Sequence, residues 1–139
     1  MEFFATSTAP ARQRTDCAIV GVYDKGVLSS AAEELDRRIG GRIARLVKRG
    51  DLRGKSGDVQ VLGDISGAGC ERIVVLGLGA RSSFKRKQYR RALVTALAAI
   101  GRTGARDAVS YLALDGLSDA DVSERTRLKV LWNACRSDA

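Results

Sequence analysis

The run Ile73-Val74-Val75-Leu76 constrains this chain more than any other stretch, because no polar residue interrupts it. A half-exposed strand alternates apolar and polar residues. Four apolar residues in succession, three of them β-branched, call instead for a central strand covered on both faces. Gly77 and Gly79 end the strand in a flexible turn, and an amphipathic pattern starting near Ser83 supplies a helix. Strand, glycine turn, helix is the order in which α/β proteins place many ligand sites, and also the order in which they make ordinary turns.

The rest of the chain follows the same grammar. Residues 2 to 7 read as a first strand, residues 8 to 15 with Pro10 as a loop, and Cys17 to Tyr23 as a second strand stopped by Asp24-Lys25-Gly26. Ser29 or Ser30 can cap the helix that follows, with Glu33 completing a capping box from Ser30, and Leu28, Ala31, Ala32, Leu35 and Ile39 repeat at helical spacing. Gly40-Gly41 costs about 1 kcal/mol per glycine in a helix, which predicts a kink or two abutting helices. The apolar spacing then resumes at Ile43, Leu46 and Val47. A glycine-rich loop from Gly50 to Gly57 leads to a half-exposed strand around Val59, Val61 and Ile65. A helix is expected from Phe84 to Arg102, with Tyr89, Leu93, Ala96, Leu97 and Ile100 inward, then a strand from Ala108 to Leu114. A last helix is expected from Ser118 or Asp119, burying Leu128, Leu131, Trp132 and Cys135. Its apolar stripe runs almost to the final residue, as in a chain cut from a longer one. The alternation predicts an α/β fold, a three-layer αβα sandwich around a mostly parallel or mixed sheet, in a single domain.

Composition excludes several chemistries. With no histidine in 139 residues, a Ser-His-Asp triad, a Cys-His pair and a His-based zinc site are impossible within this sequence. Cys17, Cys70 and Cys135 form no close pair and read as buried thiols. The acids Asp119, Asp121 and Glu124 suit a helix N-terminus better than a metal. No apolar run approaches the roughly 20 residues of a bilayer span, and the start Met-Glu-Phe-Phe lacks the basic region of a secretory signal, so a cytoplasmic protein without a membrane partner is expected.

The glycine motifs fail as nucleotide sites. The turn Gly77-Leu78-Gly79 has Ser82 where a dinucleotide fingerprint needs its third glycine. Gly54-Lys55-Ser56 resembles the end of a P-loop, but Arg49 stands where the first glycine belongs, and the helix precedes the loop while the strand follows it. Both are read as structural turns.

The net charge of +8 is concentrated in two windows. Arg37 to Lys55 holds eight basic residues against one acid, and Arg81 to Arg91 holds six against none. Lys85, Arg86, Lys87, Arg90 and Arg91 sit at a helix N-terminus, where the helix dipole disfavours each cation by about 0.3–1 kcal/mol. Such a breach of local preference is what a functional site shows. Arg42, Arg45 and Arg49 fall near one helical face and Arg53 and Lys55 continue in the loop, so phosphate-backbone contact is one reading of all ten. With 5% aromatic residues there is little to stack on single strands, which favours duplex. A soluble surface or a face for an acidic partner subunit explains the same charges equally well.

The stretches Gly50-Asp51-Leu52-Arg53-Gly54-Lys55-Ser56-Gly57 and Arg72-Ile73-Val74-Val75-Leu76-Gly77-Leu78-Gly79, with the following helix, resemble the N-terminal domain of the leucyl aminopeptidases, also called cytosol aminopeptidases. The resemblance implies a macro-domain-like fold, a C-terminal catalytic domain beyond these residues holding two divalent metals (zinc or manganese), and a homo-hexamer that releases N-terminal residues from peptides. The family's metal-binding stretch, Asn-Thr-Asp-Ala-Glu-Gly-Arg-Leu, is absent, so these residues are expected to be inactive alone, with no catalytic residue, metal or cofactor of their own. Some bacterial members bind DNA, which is compatible with the basic windows. The macro-domain likeness also implies an alternative, ADP-ribose or another nucleotide held near Gly77 to Gly79.

Overall fold

The computed structural model describes residues 2–6, 14–112 and 129–133, with side chains for 14–112. The strands are β1 (Glu2–Thr6), β2 (Thr15–Tyr23), the short β3 (Val27–Leu28), β4 (Val59–Leu62), β5 (Cys70–Gly79), β6 (Asp107–Ser110) and β7 (Lys129–Asn133). They form one mixed sheet in the order β1-β7-β6-β2-β5-β4, with β3 paired to β2. Only the centre is parallel: β2 runs alongside β5 and β6, and the outer neighbours are antiparallel. The all-apolar segment Ile73–Leu76 is buried throughout.

Two helices, α1 (Ser30–Arg38) and α2 (Arg42–Lys48), cover one face, and α3 (Arg86–Ile100) covers the other. Alternate residues of β5 accordingly divide between two cores: Val74 and Leu76 join Phe84, Tyr89 and Ala96, while Ile73 and Val75 join Leu35, Ile43 and Leu52. This is the expected αβα sandwich. Within α3, Tyr89, Ala96 and Ile100 are buried as the spacing predicts, and Leu93 and Leu97 pack half-buried at the margin.

The Gly40-Gly41 break yields two helices, both glycines being left-handed with φ near +76° and +79°. Gly41 has no side chain to cap α2. The buried Asp36 of α1 does so from the side: Oδ1 accepts from Ile43 N–H (2.7 Å) and Oδ2 from Ala44 N–H (3.2 Å). At the start of α1, Ser29 is the cap, its hydroxyl accepting from Ala32 N–H at 3.2 Å. The capping box from Ser30 therefore does not form, because Glu33 lies one position too far along a helix capped by Ser29.

One element was of the wrong kind. Leu131 and Trp132, expected on a closing helix, lie in β7, which fills the gap between β1 and β6. Leu128, Leu131, Trp132 and Cys135 do repeat at helical spacing, but Val130-Leu131-Trp132 is equally a continuous apolar strand, and periodicity over so few residues does not separate the two. The decisive fact is tertiary: Val109 and Phe4 both find a partner opposite Leu131. The strand expected to reach Leu114 stops at Ser110. Most of the 8–15 loop, the start of the closing helix, Asp119, Asp121, Glu124, Leu128 and the Cys135 thiol lie outside the described residues.

Asp36→Ala removes both acceptors for α2 at once, so unfolding in urea should show a loss of about 1–3 kcal/mol with an unchanged denaturant slope.

Candidate nucleic-acid interface

The carboxyl ends of β2 and β5 are where an open α/β sheet would bind a ligand. Here the loop from Gly50 to Asp58 occupies that place. Gly79 N–H donates to the Gly54 carbonyl and Gly77 N–H to the Asp58 carbonyl, each at 2.8 Å, while Asp58 N–H closes the loop onto the Lys55 carbonyl at 2.9 Å. Gly77 and Gly79, expected in a turn, are instead the last residues of β5, and the two amides that a phosphate would need there are bonded within the protein. The fit is close: a Cβ at Gly77 would overlap the Lys55 carbonyl oxygen, and one at Gly54, left-handed at φ +85°, would overlap the Tyr23 carbonyl. The two glycine motifs of the sequence are two halves of one contact.

Beyond the turn, the chain enters α3 through an aromatic hinge. Phe84 is fully buried and meets the Tyr23 ring edge-on at 6.1 Å and 80°, and the Arg81 guanidinium lies 5.3 Å from the Tyr23 ring centre. That cation–π contact, worth about 0.5–1 kcal/mol at an exposed site, escaped sequence reasoning because Tyr23 and Arg81 are distant in the chain. The first turn of α3 contains Arg86 and Lys87 and no acid, and its cap residue Lys85 offers no acceptor side chain; Lys85 N–H donates to Gln88 Oε1 at 3.2 Å. The end of α3 therefore presents cations where its dipole is already positive.

The ten basic residues do not form one strip. Lys55 belongs to the turn whose next residues, Ser56 and Gly57, face Arg90 and Arg91 of α3 across an open groove of about 440 Å³. Lys85, Arg86 and Lys87 precede these arginines on the same helix, and all are exposed. Arg53 and Lys55 also line a second hollow, of about 330 Å³, with Lys25 and Asp24 at the end of β2. Arg42, Arg45 and Arg49 belong to the opposite layer, and each has internal work. Arg42 Nη1 donates to the Gly63 carbonyl at 2.9 Å, Arg45 Nη1 to the Gly40 carbonyl at 2.8 Å, and Arg49 pairs with Asp51 at 3.3 Å. The sheet separates them from α3, a separation invisible in sequence.

The arrangement gathers positive charge on an exposed surface, the electrostatic setting that attracts anions. Among the described residues no group of three or more His, Cys, Asp or Glu is placed to hold a metal. Burial pushes the Cys17 thiol from its ordinary 9.0 up to about 12, with the nearby Cys70 adding to the rise, and burial likewise pushes Cys70 up to about 11. Neither is a nucleophile near neutrality.

The class defined by this sheet order and these layers is the macrodomain-like αβα sandwich. The macrodomain of Mycobacterium tuberculosis DarG superposes with a TM-score of 0.57 at 19% identity, over 73% of this chain and 70% of that one. The particular family follows from sequence: residues 19–129 match the cytosol aminopeptidase family, N-terminal domain, and the chain belongs to that family. Proteins described as probable cytosol aminopeptidases from Chromobacterium violaceum and Halorhodospira halophila are 41% and 35% identical over 81% and 90% of this chain. The chain spans only about a quarter of the length of these relatives, 22% and 25%.

Two outcomes test this geometry. Gly77→Ala should lower stability by more than about 2 kcal/mol in urea unfolding, because the loop backbone must move to admit the methyl group. Thiol labelling read by peptide mapping at pH 8 should find Cys17 and Cys70 about a hundredfold slower in the native than in the unfolded chain. Since folding raises both thiol pKa values, their contribution to stability is complete below 9.0 and is lost as pH climbs from there towards about 12 for Cys17 and about 11 for Cys70.

Proposed function

We propose that this chain is the non-catalytic N-terminal domain of a metal-dependent, cytoplasmic aminopeptidase. In the full-length protein it serves assembly, docked on its own C-terminal catalytic domain within a homo-hexamer, and it offers a basic surface to duplex DNA. The two divalent metals, zinc or manganese, belong to the catalytic part, because the residues present here do not fit them: the sequence has no histidine and the described acids form no ligand cluster. No step of peptide hydrolysis is assigned to this domain.

The DNA reading rests on one observation, the meeting of the Lys55 turn with the cationic end of α3 around a single exposed groove. Lys85, Arg86, Lys87, Arg90 and Arg91 lie within two turns of helix, while Arg53 and Lys55 line a separate hollow with Val47 of α2. Backbone contact of this kind is electrostatic and indifferent to base sequence. Arg42, Arg45 and Arg49 would contribute only at long range from the opposite layer. The competing reading, ADP-ribose at Gly77 to Gly79, has no comparable support, since both amides there donate to loop carbonyls.

Duplex binding measured across a salt series should weaken with a log–log slope of roughly −4 to −5 for five phosphate contacts, and Lys87→Glu with Arg91→Glu should reduce the slope by about 2. Affinity indifferent to salt, or unchanged in the double variant, would defeat the proposal.

A further inference from the structure

The loop that fills the crevice at the ends of β2 and β5 leaves a second hollow on its α2 side, of about 330 Å³. Two segments far apart in the chain wall it, Asp24-Lys25-Gly26 after β2 and Leu52 to Lys55, and Val47 of α2 completes it. Close backbone approach fixes both segments. A Cβ at Gly54 would overlap the Tyr23 carbonyl, and one at Gly26 would overlap the Val47 side chain. The walls are therefore set before any ligand arrives. Leu52, fully buried, and Val47, half-buried, form the apolar part, while Lys25, Arg53 and Lys55 are exposed around it.

Against these three cations the hollow has one acid, Asp24, whose Oδ1 accepts from the Lys25 N–H at 3.2 Å. The acids next along the loop are engaged elsewhere: Asp58 Oδ2 accepts from the Arg53 N–H at 3.4 Å, and Asp51 pairs with Arg49. Among the described residues the side chains of Lys25, Arg53 and Lys55 enter no hydrogen bond or ion pair. Lys25 is also held left-handed, at φ 65°, one of two non-glycine residues so placed among those described. Glycine would sit there with less strain, so the ammonium is kept at this point despite the backbone rather than because of it.

We infer that this hollow binds a small molecule through a phosphate group. Three cations less one carboxylate leave two positive charges, the complement of a phosphate monoester dianion. The Arg53 guanidinium suits two phosphate oxygens at once, the lysines act as point charges, and the apolar wall suits a short carbon skeleton. The volume is at the small end of the range for ligand sites, about 300–1,000 Å³. The hollow belongs to the α2 layer and the basic end of α3 to the other, so this site and the duplex surface stand or fall separately.

Titration of the 139-residue chain with inorganic phosphate, read by amide NMR shifts at constant ionic strength, tests the site. Lys25, Gly26, Arg53 and Lys55 should shift and saturate in the millimolar range, and chloride or succinate should not reproduce the response. Lys25→Gly should weaken phosphate about tenfold while leaving the urea midpoint unchanged or higher, an outcome that damage to the fold would not give. If that variant melts early, Arg53→Gln with Lys55→Gln decides, with a loss of about tenfold or more expected. A short duplex should shift amides of α3 and leave the bound phosphate in place. Displacement of phosphate by the duplex assigns the hollow to a nucleic-acid backbone and overturns the small-molecule reading. The absence of a saturable shift, an equal response to chloride or succinate, or an affinity untouched by the substitutions overturns the site itself.

Discussion

The architecture depends on the seating of the Gly50 to Asp58 loop against the carboxyl ends of β2 and β5. Two backbone hydrogen bonds, from Gly77 and Gly79 to Asp58 and Gly54, extend the sheet's bonding beyond β4 and close the crevice that an α/β sheet opens at this position. No side chain fits between the two segments, so the glycines are required by proximity on one strand and by a left-handed backbone in the loop. The loop in turn sets the position of Ser56 and Gly57 opposite α3. Stability and surface chemistry are coupled through one backbone contact.

A similar economy appears at the other helices. The chain breaks at Gly40-Gly41 to turn α2 back onto the sheet, and that break removes any capping side chain from α2. Asp36, buried one helix earlier, supplies both acceptors. A buried carboxylate is costly unless its oxygens are bonded, and here they face a helix N-terminus where negative charge is favoured. The basic residues of α2 are partly consumed in the same local order, Arg45 on the Gly40 carbonyl and Arg42 on the Gly63 carbonyl, whereas the first turn of α3 carries cations and no acid, against the preference of its dipole. This difference separates structural arginines from candidate contact residues more clearly than charge counting does.

Much of the fold was legible. The unbroken apolar run at Ile73 to Leu76 announced a central strand, the Ser29 region a helix start, and the double glycine a break. Legibility failed at Leu131 and Trp132, where the three-residue apolar stretch Val130-Leu131-Trp132 satisfies helix and strand alike, and only the place between β1 and β6 decides. It failed again for the candidate site. The loop glycines and the turn glycines looked like two imperfect phosphate motifs, and no local pattern indicates that they are each other's ligands.

The sequence by itself determined which side-chain types are on hand and most of the elements, because residue types and apolar spacing are local properties. The absence of histidine rules out any His-based triad or zinc site within these residues. Tertiary structure decided which charges share a surface. Arg42, Arg45 and Arg49 went to one side of the sheet, while Arg90 and Arg91 lie on the other, across a groove from Ser56 and Gly57. Strand order and layer assignment depend on contacts between residues far apart in the chain, which no window of sequence contains.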